Sequence, residues 1–254
     1  MHRTAAPLLL GCLSALIALL CASRSIRLSP PVLLVPYGGS LPFSCATTCA
    51  DPNVSGGVET SSVYTTHLNV SGAVETSALY TLHPRGARME VELHNVTEWN
   101  STVQCFFRCY GARDGLKADL IAYRPLDQPE LQPLPPLRSG RAYNVSCVVP
   151  NVSPIRNLSL SLFRGDIAVH SATFQDYQHY HPTNASLTFA LTARRKDRGQ
   201  SVACRAVLDM RPYGPLLTAN STAHVLDVYG ERPPSYPHGH PEVPIVTLWS
   251  PSSP

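Results

Sequence analysis

Leu41-Pro42-Phe43-Ser44-Cys45-Ala46-Thr47-Thr48-Cys49 and Val103-Gln104-Cys105-Phe106-Phe107-Arg108-Cys109 decide how this chain folds. Leu41, Phe43 and Cys45 alternate with polar or small neighbours, as do Val103, Cys105, Phe107 and Cys109. Each stretch also carries two cysteines four positions apart. Side chains along an extended strand repeat their direction every second residue, so each cysteine pair lies on one face of a strand or its extension. Two such strands facing each other can form two disulfide rungs. Cys147 and Cys204, 57 positions apart, then remain as a separate pair.

The compartment is set by the N-terminus. Arg3 supplies a positive start and Leu8 to Leu20 an apolar core, and the small residues Ala22 and Ser23 come next. That is a secretory signal peptide over 1–23, too short for a membrane span, which needs about 20 apolar residues. Its cleavage removes Cys12 and Cys21 and leaves the six cysteines above, an even count expected to form three disulfides. A zinc site is the competing reading, but structural zinc favours Cys-x2-Cys knuckles and a reducing compartment. Every asparagine in the chain begins an Asn-x-Ser/Thr sequon: Asn53, Asn69, Asn95, Asn100, Asn144, Asn151, Asn157, Asn184 and Asn220. Asn151 is the poorest, because Pro154 comes directly after its sequon. The other eight mark a glycosylated, extracellular surface.

The same period-two alternation continues through Met89, Val91 and Leu93, then Tyr143 to Val149, Leu158 to Leu162, Leu187 to Leu191 and Val202 to Leu208. No amphipathic helix pattern occurs. The fold class expected is all-β: two tandem immunoglobulin-like β-sandwich domains. The second and sixth strands of that topology lie in opposite sheets and run the same way. Bridges between them should form in order, Cys45–Cys105 and Cys49–Cys109, with Cys147–Cys204 in the second sandwich.

Domain 1 is expected over 24–125 and domain 2 over 126–229, joined by the stiff Pro-rich stretch from Arg124-Pro125 to Leu134-Pro135-Pro136. Residues 230–254, with seven prolines, read as a disordered tail.

Composition excludes several function classes. The 254 residues are 44% hydrophobic and 15% charged with 24 prolines, unlike a helical bundle. A formal net charge of +3 and a single basic run, Arg194-Arg195-Lys196-Asp197-Arg198, give no nucleic-acid footprint. No nucleophile elbow, zinc-protease pair or phosphate loop occurs, so no enzyme activity, cofactor or small-molecule substrate is expected.

Over roughly 28–229 the chain resembles the intercellular adhesion molecule family. The residues that carry the resemblance are Gly38-Gly39-Ser40-Leu41, the doubled Cys-x3-Cys pairs, Glu130 to Pro136, and Leu208-Asp209-Met210-Arg211-Pro212. Two departures from ordinary immunoglobulin domains stand out: Val202 occupies the tyrosine-corner position, and neither domain has a third-strand tryptophan. The resemblance implies a leukocyte integrin as partner, bound through an exposed glutamate in a Glu-Thr-Ser motif at the end of the third strand of domain 1. That carboxylate would complete the shell of an Mg²⁺ held by the integrin, a hard cation that takes oxygen ligands.

Here the motif occurs twice. Residues 53–68 and 69–84 form a tandem repeat of 16 residues with 11 identities, placing glutamates at Glu59 and Glu75. Cys49 and Cys105 are 56 apart, and removing one copy leaves 40, which resembles the family's spacing. Glu59 fits when counted from Cys49, and Glu75 when counted back from Cys105. Glu75 is favoured, since the residues after it lead into the Met89–Leu93 strand without a gap. Arg164-Gly165-Asp166 is a second integrin-type signal, but its position directly after Leu158 to Phe163 makes it the turn after the third strand of domain 2.

The alternative function is a secreted immunoglobulin-like module or soluble decoy with a non-integrin partner. No apolar run occurs after residue 229, so no membrane attachment is expected within the chain as written. It is expected to be secreted, or at the cell surface if a C-terminal segment is truncated or alternatively spliced.

Overall fold

The computed structural model describes residues 25–60, 75–76 and 80–230. The expected signal peptide, Asn69, parts of both repeat copies and the expected disordered tail from 231 onward lie outside the described residues.

The first sandwich contains β1 (Ile26–Ser29), β2 (Leu33–Pro36), β3 (Leu41–Thr47), β4 (Ser55–Thr60), β5 (Glu75–Thr76), β6 (Tyr80–Arg85), β7 (Arg88–Leu93), β8 (Asn100–Cys109) and β9 (Ala112–Tyr123). One sheet has the order β1-β3-β7-β6-β5 and the other β2-β9-β8-β4. Alternation sets which face is sealed. Leu41, Phe43 and Cys45 of β3 meet Val103, Cys105 and Phe107 of β8 across the core. Full burial of each large apolar side chain contributes about 1.5–3 kcal/mol.

The second sandwich comprises β10 (Glu130–Leu131), β11 (Leu137–Arg138), β12 (Ala142–Val152), β13 (Leu158–Arg164), β14 (Ile167–Thr173), β15 (Thr183–Thr192), β16 (Ser201–Asp209), β17 (Leu216–Asn220), β18 (His224–Val225) and β19 (Val228–Tyr229). The sheet β10-β12-β15 packs against β14-β13-β16-β17 over a core from Leu137 to Val228. Part of the Pro-rich stretch is therefore structured: Glu130 and Leu131 pair with Val148 and Cys147.

Three disulfides pin the sandwiches: Cys45–Cys105, Cys49–Cys109 and Cys147–Cys204, with Cα–Cα distances of 6.3, 6.1 and 6.4 Å. All three distances fall in the range a disulfide spans. At the joint between sandwiches, Leu34 of β2 packs against the second core. The backbone N–H of Arg124 donates to the carbonyl of Ser153 at 3.0 Å. Among the described residues, no helix is long and apolar enough to cross a membrane.

Candidate functional site

The outer face of the β2-β9-β8-β4 sheet presents three cross-strand rows. In β-sheet register, Glu59 stands opposite Gln104, which stands opposite Lys117. The next row is Gly57, Phe106 and Gly115, and the third is Ser55, Arg108 and Arg113. On β8 the odd-numbered residues from Ser101 to Cys109 point inward, so Phe106 is a large apolar side chain on the solvent face. It is nevertheless only 7% exposed.

Arg113 lies over its ring. The guanidinium carbon lies 4.0 Å from the Phe106 ring centroid, a cation–π distance. From there Nη2 donates to Oε1 of Glu59 at 2.7 Å, a charge-assisted bond running diagonally across the rows. The side chains of Arg113 and Glu59 are 43% and 21% exposed. Gly57 and Gly115 flank Phe106 in its row. A Cβ on Gly115 would come within 2.9 Å of Gln104 Nε2.

The two repeat glutamates are placed differently. Glu59 lies on β4, which is hydrogen-bonded to β8 in the position of the third immunoglobulin strand. Glu75 lies on β5, opposite Leu82 of β6, at the edge of the other sheet. The expectation set Glu75 on the third strand; Glu59 occupies that place. Counting back from Cys105 assumes an uninterrupted path from the strand into β7, whereas β4 pairs before the repeated segment begins again.

Arg164-Gly165-Asp166 closes the β13–β14 hairpin. Gly165, at φ +57°, is the first residue of the two-residue turn, a backbone position that favours glycine. Arg164 does not project from that turn as a free cation. Its Nη1 lies 3.4 Å from Oδ1 of the buried Asp197.

The described sequon asparagines, at 53, 95, 100, 144, 151, 157, 184 and 220, are all exposed. Some amides are also engaged: Asn157 Nδ2 donates to the Asp209 carbonyl at 2.8 Å, and Asn220 Oδ1 accepts from Arg205 Nε at 3.1 Å. Among the described residues no cluster of metal-ligating side chains forms.

Arg113 and Phe106 escaped the sequence reading. A signal existed for one of them: Phe106 breaks the alternation of its strand. Arg113 gave none, since its partner Glu59 is 54 positions away.

Comparison with known proteins gives consistent matches. Residues 22–128 match the family model described as intercellular adhesion molecule (ICAM), N-terminal domain. The chain is 36% identical over 198 residues to intercellular adhesion molecule 5 of Oryctolagus cuniculus, covering 77% of this chain and 20% of that protein. It is 30% identical over 232 residues to intercellular adhesion molecule 1 of Macaca mulatta, covering 89% of this chain and 39% of that protein. The chain thus spans about a fifth to two-fifths of these relatives. Among solved structures, a D1-D4 ectodomain fragment of ICAM-5 superposes with a TM-score of 0.59 at 29% identity, over 83% of this chain and 52% of that one. A mouse nectin-like molecule 4 ectodomain, at 18% identity and TM-score 0.55 over 78% of this chain and 66% of that one, shares the immunoglobulin-like fold.

Proposed function

Since residues 22–128 match the N-terminal domain of the intercellular adhesion molecule family, we propose that this chain is a member of that family and an extracellular cell-adhesion ligand for a leukocyte integrin. Members of that family are adhesion molecules of the immunoglobulin superfamily and not enzymes. In our reading the carboxylate of Glu59 completes the coordination shell of an Mg²⁺ held by the integrin. The flat sheet face around Gln104, Phe106 and Lys117 would supply the complementary surface. An octahedral Mg²⁺ keeps exchangeable water positions, and one carboxylate oxygen can replace a water there.

The observation that carries this reading is the position of Glu59 on β4, paired to β8 on the outer face of the sheet. Glu75, on a two-residue strand of the opposite sheet, is the second candidate. Arg164-Gly165-Asp166 is a weaker third, because Arg164 is committed to Asp197. The exposed sequon asparagines support a glycosylated ectodomain, secreted or cell-surface.

Binding of the glycosylated chain to purified leukocyte integrin ectodomains, with Mg²⁺ and with chelator, tests the proposal. Glu59→Gln keeps the shape and removes the charge, and should abolish Mg²⁺-dependent binding while Glu75→Gln retains it. The reverse result transfers the role to Glu75. Metal-independent binding untouched by either change would instead point to the alternative, an immunoglobulin-like module with a non-integrin partner.

A further inference from the structure

We propose that Arg113 is a latch that holds the Glu59 carboxylate down on the sheet and must release it before Glu59 can reach a partner's metal ion. This inference rests on the reading of Glu59 as the metal-binding carboxylate. Three observations lead to it. Arg113 Nη2 donates to Glu59 Oε1 at 2.7 Å, along the sheet face rather than away from it. The arginine is itself fixed, stacked 4.0 Å over Phe106 between two positions, Gly57 and Gly115, that have no side chain. Glu59 itself is only 21% exposed.

A carboxylate that ligates a metal held by another protein must extend from the face that presents it. A carboxylate drawn diagonally to Arg113 is not extended. The two states exclude each other to the extent that the ion pair is populated, so the pair lowers apparent affinity by the fraction of molecules it retains. Half-exposed pairs of this kind are weak, and the latch accordingly tunes affinity without abolishing it. Arg113 is thus a regulating residue of the site, distinct from Glu59, and its removal acts in the opposite direction to removal of Glu59.

The experiment is Mg²⁺-dependent binding of the full chain to an immobilised leukocyte integrin ectodomain, comparing wild type, Arg113→Gln, Arg113→Lys and Glu59→Gln. Arg113→Gln should tighten binding about 1.4- to 5-fold, the range an exposed ion pair supplies. Arg113→Lys, which keeps the charge but loses the planar stack on Phe106, should fall between it and wild type. Unchanged or weakened binding by Arg113→Gln, with Glu59→Gln still abolishing it, overturns the latch and leaves the Glu59 reading intact. If Glu59→Gln has no effect, the underlying reading fails, and the latch with it. A measurement without any partner checks the same contact. Side-chain NMR of Arg113 should show slowed guanidinium rotation that is lost in Glu59→Gln, and free rotation in wild type would overturn the proposal.

Discussion

Arg164 Nη1 stands 3.4 Å from Oδ1 of Asp197, whose side chain is 1% exposed. The other carboxylate oxygen accepts the backbone N–H of Arg194 at 2.8 Å. The arginine that opens the Arg-Gly-Asp sequence is therefore the counter-charge of a carboxylate sealed inside the second sandwich. Removing it leaves that charge buried and uncompensated.

Arg164→Ala should cost about 3–5 kcal/mol of stability, as expected for one partner of a buried pair. Asp166→Ala, on the exposed side of the same turn, should change stability by no more than about 0.5 kcal/mol. Urea denaturation of both variants measures the contrast. Equal small losses would mean that the Arg164–Asp197 pair contributes nothing.

The two disulfides of the first sandwich are nearly redundant in the unfolded state. Both span 60 positions, so either rung alone closes almost the same loop. The Cys147–Cys204 bridge, spanning 57 positions, has no such companion. Replacing Cys147 and Cys204 together by alanine should cost about 2–5 kcal/mol, because loop-closure entropy is fully restored to the unfolded chain. Replacing Cys49 and Cys109 should cost less. Calorimetry of the two double variants decides it, and a larger loss from the outer rung would refute the entropic argument.

Gly214 sits where the two sandwiches meet. A Cβ there would fall 2.9 Å from Leu34 Cδ1 and 2.9 Å from Met210 Cβ. The leucine tip can swing away, but the Met210 Cβ is fixed to the backbone. Gly214→Val should destabilise the protein by about 1–3 kcal/mol through overpacking. Leu34→Ala in the same background should recover only part of this, which thermal denaturation of the single and double variants would reveal.

Asp209 accepts hydrogen bonds from both the side chain and the backbone N–H of Arg211, and these hold its carboxyl down at about 2, against an ordinary 3.8. A carboxyl lowered in the folded state stabilises it above the unfolded range and loses that contribution as the group protonates. Any stabilisation from this contact is therefore complete above about pH 4 and fades toward pH 2. NMR titration of the Asp209 carboxyl should give its midpoint near 2. Arg211→Ala should return it toward the ordinary aspartate range, and an unmoved midpoint would assign the shift to another cause.

Much of the fold was legible because its signals are local. Leu41, Phe43 and Cys45, or Leu158, Leu160 and Leu162, point to one face for the simple reason that strand side chains alternate. Cysteines four apart inherit the same geometry, so the order of the bridges is set once two strands are known to run in the same direction. The strands that escaped notice lack the pattern. Gly56 and Gly57 hide β4, while β9 carries Arg113 to Lys117 before its first buried residue, Leu120.

The candidate site was legible only as a motif. Two Glu-Thr-Ser copies identical in sequence cannot be told apart by residues alone, since each is equally compatible with a strand. Only pairing to β8 distinguishes Glu59 from Glu75, and pairing joins residues about 45 positions apart. The same holds for Arg113 over Phe106 and Glu59, and for Arg164 against Asp197. Alternation is set by neighbours along the chain and is written in the sequence. Which charge meets which carboxylate depends on the register between strands and on the turns that bring distant segments together, and the tertiary structure alone decides it.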